Sequence, residues 1–104
     1  MANSITKEKV TDLQNSNATI HLVDIRTVDE YNQSHVPGAM NISADEINNM
    51  PFDKNDIVVC ICNHGHKRSQ GAADTITALG YTNTFYLEGG TAGWLNDNNI
   101  EHHQ

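Results

Sequence analysis

Apolar residues alternate along the chain between compact, β-branched runs and segments with helical spacing or capping signals. Compact runs predict strands, and the segments between them predict helices. The predicted strands are residues 19–24, a short stretch within 35–43, residues 57–62 and residues 82–87. The predicted helices are residues 4–15, a helical turn at 27–32, a segment from Ser43 that Pro51 ends, residues 69–79, and a short helix holding Trp94 and Leu95. Strands that alternate with helices pair in parallel, so the pattern predicts an open α/β sheet.

Local signals support several of these boundaries. Thr27 and Glu30 have the spacing of a capping box, and Ser43 and Glu46 repeat it. Gly80 follows the helix predicted at 69–79 and is expected to be its C-terminal cap.

Length and charge limit the classes of function. A chain of 104 residues without a linker suits one domain, so we expect residues 1–104 to form a single domain. The net charge of −7 argues against non-specific binding to nucleic acid or anionic membranes. No apolar run approaches the roughly 20 residues that span a bilayer, and the N-terminal residues lack the apolar stretch of a signal peptide. The two cysteines then suggest a reducing compartment, and we expect a cytoplasmic protein.

The candidate chemistry lies in residues 57–69, I-V-V-C-I-C-N-H-G-H-K-R-S. Cys62 ends the predicted strand, and the loop after it leads into a predicted helix. Ligands of open α/β sheets bind beyond the carboxyl ends of the strands, and a helix N-terminus attracts anions and favours a thiolate. Gly65 permits a tight loop, while Lys67 and Arg68 add positive charge. The segment predicts a nucleophilic Cys62 facing an anion cradle; the alternative is a buried cysteine followed by a solvated turn.

Cys60 requires a separate interpretation. On a strand, Cys60 and Cys62 point to the same face, and a central parallel strand is buried on both faces, so we expect Cys60 in the core. A disulfide between them is disfavoured because their Cα atoms would lie about 6.6 Å apart, at the limit of disulfide geometry. Together with His64 and His66 they form a C-x-C-x-H-x-H pattern that resembles a zinc site. Four ligands within seven residues close a tetrahedron with difficulty, so we expect no metal.

Four motifs, in order, resemble those of single-domain rhodaneses, which are thiosulfate or persulfide sulfurtransferases. They are L-V-D-I-R-T-V-D-E-Y (22–31), H-V-P-G-A-M-N-I (35–42), the segment 57–69, and L-G-Y (79–81) followed by F-Y-L-E-G-G-T-A-G-W (85–94). The resemblance covers nearly the whole chain. It implies a rhodanese-like open, mainly parallel sheet of about five strands flanked by helices on both faces, and no metal or organic cofactor.

Carried over to single residues, the resemblance implies that Cys62 is the nucleophile that becomes a persulfide and that Arg68 supports the bound anion. The loop that would bind the substrate comprises Asn63, His64, Gly65, His66, Lys67 and Ser69. Its two histidines would donate to the sulfur anion or relay protons, with solvated side chains as the alternative. Asp24 and Arg26 match the family's D-x-R pair, which braces the active-site region; the alternative for this pair is an exposed salt bridge.

The implied reaction transfers sulfur in two steps. A small anionic donor such as thiosulfate would load Cys62, and a thiol or a protein would accept the sulfur. For the other residues that match the family's motifs, the resemblance implies roles in turns and packing. These residues are His35, Pro37, Gly38, Gly89, Gly90 and Trp94.

One departure keeps a second function open. The common rhodanese loop has four residues between cysteine and arginine, whereas five separate Cys62 from Arg68. Such a loop resembles that of phosphatases and arsenate reductases with the same fold, where a wider ring of N–H groups suits a tetrahedral oxyanion. Ile61 stands where the phosphatase signature has histidine, so we expect sulfur transfer. Two further alternatives are a non-catalytic binding module and a redox sensor whose Cys62 sulfenic acid is resolved by Cys60.

Overall fold

The computed structural model describes residues 2–65 and 67–102, which form five strands, four α-helices and one 3₁₀ helix. The strands are β1 (Asn3–Ile5), β2 (Ile20–Asp24), β3 (Met40–Asn41), β4 (Ile57–Ile61) and β5 (Thr84–Leu87). The helices are α1 (Lys7–Asn15), α2 (Val28–Gln33), the 3₁₀ helix Ala44–Asn49, α3 (Lys67–Ala78) and α4 (Gly90–His102). None of the helices in this part of the chain combines the length and apolarity that crossing a bilayer requires.

The strands form one parallel sheet in the order β1-β5-β4-β2-β3. This arrangement confirms the predicted open α/β sheet of about five strands. Strand β4 is central, and Cys60 within it pairs with Val23 of β2 and Tyr86 of β5. The chain proceeds from β4 to β5 on one side and from β2 to β3 on the other. In folds of this type, such a change of direction marks the edge at which ligands bind, beyond the carboxyl ends of the strands.

A separate buried core lies on each face of the sheet. One face packs against α3 and the 3₁₀ helix, and its buried residues include Val23, Ile47, Val58, Cys60, Cys62, Ala73 and Ile76. The other face packs against the remaining helices, and its residues include Val10, Leu22, Val59, Ile61 and the partly buried Tyr31 and Trp94. Helices therefore cover both faces, as predicted. The two cysteines lie in the same core, which confirms that they share a face of β4.

The prediction of a helix from residue 4 is wrong. Residues Asn3–Ile5 form the edge strand β1, whose backbone pairs with β5 from Asn3 opposite Phe85 to Ile5 opposite Leu87. The helix begins only at Lys7, because the Thr6 side chain caps it by accepting from the Lys9 N–H at 3.2 Å. The apolar pattern predicted the helix because the buried Ile5 extends the spacing of Val10 and Leu13, although it belongs to a strand.

The segment after Ser43 is a 3₁₀ helix and not an α-helix. The Glu46 N–H donates to the Ser43 carbonyl three residues earlier, at 2.9 Å. Ile47 and Met50 are both buried, and the 3₁₀ repeat places residues three apart on one side. The Glu46 carboxylate accepts from the Ser43 N–H at 3.1 Å, as its capping-box spacing predicted.

The end of α3 follows its predicted signal. Gly80 has φ of +107°, and its N–H donates to the Thr77 carbonyl at 3.0 Å, while the Tyr81 N–H reaches the Ile76 carbonyl at 3.4 Å. This pair of bonds is the Schellman arrangement that glycine favours after a helix. The last strand begins at Thr84, two residues later than predicted, and α4 extends beyond the predicted short helix.

Candidate active site

Cys62 is the first residue after the central strand β4. It lies at the carboxyl edge of the sheet between the ends of β2 and β5, where the topology predicts a ligand site. Its side chain is only 3% exposed, and its Sγ lies 3.1 Å from the Oγ of Ser69, which is fully buried in α3. The strand end and the helix start thus bring a thiol and a hydroxyl together.

The backbone of the loop after Cys62 is held by the first turn of α4. The Thr91 N–H donates to the Cys62 carbonyl at 2.8 Å, and the Ala92 N–H donates to the Asn63 carbonyl at 2.9 Å. In a trans peptide the N–H points opposite to the carbonyl of the same unit. The N–H groups of Asn63 and His64 therefore point away from α4, in the orientation that an anion cradle requires.

Two glycines allow this close approach of loop and helix. Gly65 has φ of +73°, and a Cβ on it would lie 2.5 Å from the Leu87 carbonyl oxygen and 2.7 Å from the Gly89 nitrogen. Gly90 has φ of +58°, and a Cβ there would collide with the carbonyl oxygen of Cys62. The predicted turn at Gly89 and Gly90 is confirmed, and the structure adds its contact with the cysteine loop.

Helix α3 begins at Lys67, two residues earlier than predicted. Lys67 and Arg68 therefore occupy its first turn, with exposed side chains. They place cationic groups beside a helix N-terminus, a combination that attracts anions. His64 is exposed in the loop, whereas His66 lies outside the described residues.

Asp24 and Arg26 form a buried pair, so their alternative interpretation as an exposed salt bridge is wrong. Asp24 is 0% and Arg26 is 4% exposed, and the guanidinium donates to the carboxylate with a shortest distance of 2.7 Å. This hydrogen bond raises the pKa of Arg26. The guanidinium also reaches the Asn63 Oδ1 at 2.9 Å and the Ser34 carbonyl at 2.6 Å. The pair connects the end of β2 to the residue after Cys62.

Glu30 contacts two residues of the candidate site and was not among those predicted from the sequence. Its carboxylate accepts from the Asn63 Nδ2 at 3.0 Å and from the Arg68 guanidinium at 3.1 and 3.3 Å. It also accepts from the Thr27 N–H at 3.1 Å, as its capping-box spacing predicted. The hydrogen bond from Arg68 is the main reason that the pKa of Glu30 falls to about 2. The capping box accounted for Glu30 locally, so no sequence signal indicated its contacts with residues more than 30 positions away.

A cleft of about 520 Å³ opens beside Arg68, between α3, the 3₁₀ helix and the end of β2. Its lining combines apolar with polar and charged residues, namely Ile25, Arg26, Thr27, Ser43, Asp45, Ile47, Arg68, Gly71, Ala72 and Thr75. Cys62 packs in the same buried core as Ile25 and Ile47. The cleft offers space for a small molecule next to the loop.

Cys60 is unsuited to chemistry in the folded protein. It is 0% exposed, and burial is the main reason that its pKa rises to about 12. Neither cysteine is in a disulfide bond. Because a resolving thiol needs access, the burial of Cys60 makes the redox-sensor hypothesis with Cys60 as the resolving residue wrong. Among residues 2–65 and 67–102, no group of three or more histidine, cysteine or acidic side chains is arranged to hold a metal ion.

The segment around His35 has the turn and packing interactions that its motif implies. The Ala39 N–H donates to the Val36 carbonyl at 3.0 Å, and Gly38 has φ of +87°. Proline and glycine at the two central positions are typical of a type II turn. The His35 ring stacks on Tyr31 with centroids 3.9 Å apart, and its Nδ1 lies 2.8 Å from the Tyr31 carbonyl oxygen.

Comparison with known proteins gives consistent matches. Residues 6–97 match the rhodanese-like domain family. The thiosulfate sulfurtransferase GlpE of Tolumonas auensis is 33% identical over 78 residues, which are 73% of this chain and 73% of that protein. The thiosulfate sulfurtransferase PspE of Escherichia coli is 39% identical over 70 residues, covering 62% of this chain and 65% of that protein.

Solved structures show the same similarity. The human single-domain sulfurtransferase TSTD1 matches with a TM-score of 0.81 and 25% identity, over 92% of this chain and 97% of that chain. A rhodanese-like domain protein of Staphylococcus aureus matches with a TM-score of 0.76 and 30% identity, over 88% of this chain and 90% of that chain.

Proposed function

Because the chain belongs to the family of rhodanese-like domains, we propose that it is a sulfurtransferase that moves a sulfane sulfur through a persulfide on Cys62. The donor is thiosulfate or a persulfide, and the acceptor is a thiol, either small or on a protein. The named relatives GlpE and PspE are thiosulfate sulfurtransferases, which supports thiosulfate as the first donor to test. The proposal assigns this reaction to residues 1–104 as one domain and places it in the cytoplasm.

The observation that carries the proposal is the placement of Cys62. Its thiol lies at the carboxyl edge of the central strand and next to the first turn of α3, while the carbonyls that follow it are bound by α4. A nucleophile in this position meets the N–H groups of its own loop. These groups and Arg68 supply positive electrostatic potential where sulfur and the leaving group become negative.

The first step loads the enzyme. The Cys62 thiolate attacks the outer sulfur of thiosulfate, a new S–S bond forms, and the bond between the two sulfur atoms of thiosulfate breaks. Sulfite leaves with the electron pair of that bond, so Cys62 now carries a persulfide. The N–H groups from Asn63 to Ser69 are proposed to hold its outer sulfur, with the hydroxyl of Ser69 beside the inner one.

The second step returns the enzyme to its starting state. An acceptor thiolate attacks the outer sulfur, so that a new acceptor persulfide forms and the Cys62 thiolate is released. In this scheme Asp24 and Arg26 act as positioning residues through Asn63. Lys67 adds to the positive potential at the entrance, and His64 and His66 are proposed as donors to the sulfur anion.

Mass spectrometry of the intact protein after incubation with thiosulfate tests the proposal. We expect an added mass of about 32 Da that maps to Cys62 and is removed by a thiol. The adduct should be absent in Cys62→Ala and retained in Cys60→Ala, which carries the same substitution two residues earlier. Sulfur transfer would be contradicted if the wild-type protein gained no mass after incubation with thiosulfate but hydrolysed a small aryl phosphate. That result would favour a phosphatase-like reaction in which the longer loop binds a tetrahedral oxyanion.

A further inference from the structure

Two capping boxes among the described residues share the contact from a glutamate to the N-cap residue but have different surroundings. In each, a glutamate accepts from the N–H of the N-cap residue at 3.1 Å, in Glu30 with Thr27 and in Glu46 with Ser43. Glu46 is exposed, and within the described ranges it forms no ion pair. Glu30 instead extends its carboxylate to Asn63 and Arg68, on both sides of the cysteine loop. Helix capping alone does not require these long-range contacts.

The ion pair changes the charge that an incoming anion meets. Arg68 uses both terminal nitrogens of its guanidinium to contact the two carboxylate oxygens of Glu30, at 3.3 and 3.1 Å. A guanidinium that is paired in this way carries little net charge with its partner. The side chains of Arg68 and Glu30 remain 48% and 30% exposed, so the pair faces solvent and can be opened by a competing anion.

We propose that Glu30 is a specificity-determining residue, because its carboxylate competes with the anionic substrate for Arg68 and lowers the preference of the site for doubly charged donors over singly charged ones. This inference rests on the proposed sulfurtransferase function for its choice of donors. The competition is present throughout the working pH range, since the pKa of Glu30 is about 2.

The physical reason lies in the charge of the donor. Repulsion by a fixed carboxylate is twice as strong for a dianion as for a monoanion at the same place. Thiosulfate and methanethiosulfonate each deliver an outer sulfur to a thiolate, and they release sulfite and methanesulfinate respectively. The two donors differ by one unit of charge. The ratio of kcat/KM for thiosulfate to kcat/KM for methanethiosulfonate therefore separates the electrostatic contribution of Glu30 from its effect on the sulfur chemistry.

Anion binding provides a test that needs no sulfur transfer. Sulfate would be titrated into wild type, Glu30→Gln and Glu46→Gln, with the amide signals of Gly65 and Arg68 followed by NMR. We expect Glu30→Gln to bind sulfate about threefold to tenfold more tightly at low salt. Glu46→Gln removes an equivalent capping carboxylate that lacks the arginine, and its affinity should equal that of wild type. Unchanged or weaker sulfate binding by Glu30→Gln would overturn the inference.

Kinetics then test the specificity itself. The ratio of kcat/KM for thiosulfate to that for methanethiosulfonate should rise about threefold to tenfold in Glu30→Gln and stay constant in Glu46→Gln. The gain should shrink as salt screens the charges. It should also be smaller when Glu30→Gln is introduced into Arg68→Gln than when it is introduced into wild type, because without the guanidinium there is no competition and only the direct repulsion remains. A fall of the ratio in Glu30→Gln would show that Glu30 positions Arg68 for the donor and does not compete with it.

The two proposals fail in different ways. A wild-type protein that accepts sulfur from neither donor contradicts the proposed function, and the sulfate titration still decides the role of Glu30. A protein that transfers sulfur but shows no change of sulfate affinity or donor ratio in Glu30→Gln contradicts only the competition.

Discussion

Cys60 and Cys62 have identical side chains, lie two residues apart and pack in the same buried core, but Cys60 lies within the ladder of β4 and Cys62 lies just after it. Cys60 lies within β4, pairs with β2 and β5 on its two sides, and has a pKa raised by burial to about 12. Cys62 lies one residue beyond β4, next to the Ser69 hydroxyl, and its carbonyl is bound by an N–H of α4.

The difference shows that the end of the strand, more than the residue type, creates a candidate nucleophile. Inside a parallel sheet, each backbone N–H and carbonyl already has a partner in the ladder. Beyond the last ladder residue, these groups become available to a loop, a helix terminus or a ligand. Cys62 is the first residue after the ladder of β4 ends, whereas Cys60, two residues earlier, is still paired within it.

The same substitution at the two cysteines should give the largest contrast. Cys62→Ala is expected to lower kcat/KM for sulfur transfer by at least about 10³, because the nucleophile is removed. Cys60→Ala is expected to change kcat/KM by less than about threefold, since the pKa and burial of Cys60 keep its thiol out of the reaction. Steady-state kinetics with thiosulfate and a thiol acceptor measure both.

The folding stability of Cys60→Ala tests the structural role of the buried thiol. Cys60→Ala should destabilise the protein by about 1 kcal/mol, because a fully buried side chain loses its sulfur. A loss of turnover in Cys60→Ala comparable to that in Cys62→Ala, with the fold intact by circular dichroism, would remove the distinction between the two thiols.

The loop that follows Cys62 depends on Gly65. Gly65→Ala should destabilise the protein by about 2–4 kcal/mol, since φ is +73° and the added methyl group would meet the backbone of Leu87 and Gly89. Gly71→Ala is the matched control, because nothing lies within 4 Å of a Cβ built there. Being inside α3, this control should gain about 0.5–1 kcal/mol. Urea unfolding of both variants measures the difference, and equal values for both would show that the loop does not need a glycine.

Most of the sheet was predictable from the sequence because its signals are local. The run from Ile57 to Cys62 and the capping box at Thr27 each report on a few neighbouring residues. Strand β1 was mispredicted for the same reason. Residues 3–5 are a strand only because β5 lies beside them, and pairing with a residue some 80 positions away leaves no local pattern.

The candidate site shows the same limit. The loop motif predicted Cys62, Gly65 and Arg68 as candidate residues. It missed Glu30, whose partners Asn63 and Arg68 lie 33 and 38 positions away. Long-range side-chain contacts of this kind depend on how helices pack on the sheet, and the local spacing of Glu30 was already explained by its capping role.

The Ser69 hydroxyl is a polar contact of the Cys62 thiol. In the thiol form, Cys62 Sγ donates to the Ser69 Oγ at 3.1 Å, and once Cys62 is a thiolate the hydroxyl can only donate to it. Ser69→Ala should therefore lower kcat/KM for sulfur transfer by about threefold to tenfold, because the sulfur anion loses this donor. The pH dependence of the rate should move to higher pH, since the thiolate loses a donor. Thr77→Ala is a suitable control, because it removes another α3 hydroxyl, which donates to the Ala73 carbonyl at 2.8 Å within the helix. A pH profile identical to that of wild type would limit Ser69 to packing.

The smallest expected effect concerns the side chain of Thr91, the residue whose N–H holds the Cys62 carbonyl. Its Oγ1 is buried and has no hydrogen-bond partner among the described residues. Thr91→Val should therefore stabilise the protein by about 1 kcal/mol, because a desolvated hydroxyl is replaced by a methyl group of similar shape.

Thr84→Val is the matched control for Thr91→Val. Thr84 is also buried, but its hydroxyl donates to the Tyr81 carbonyl at 2.8 Å, so this variant should lose about 1 kcal/mol. Thermal unfolding should give shifts of opposite sign for the two variants. Thr91→Val should retain sulfur transfer, because the Thr91 N–H that binds the Cys62 carbonyl is kept and its hydroxyl has no hydrogen-bond partner among the described residues. Loss of sulfur transfer in a stably folded Thr91→Val variant would mean that the Thr91 hydroxyl, and not only its N–H, is needed for the reaction at Cys62.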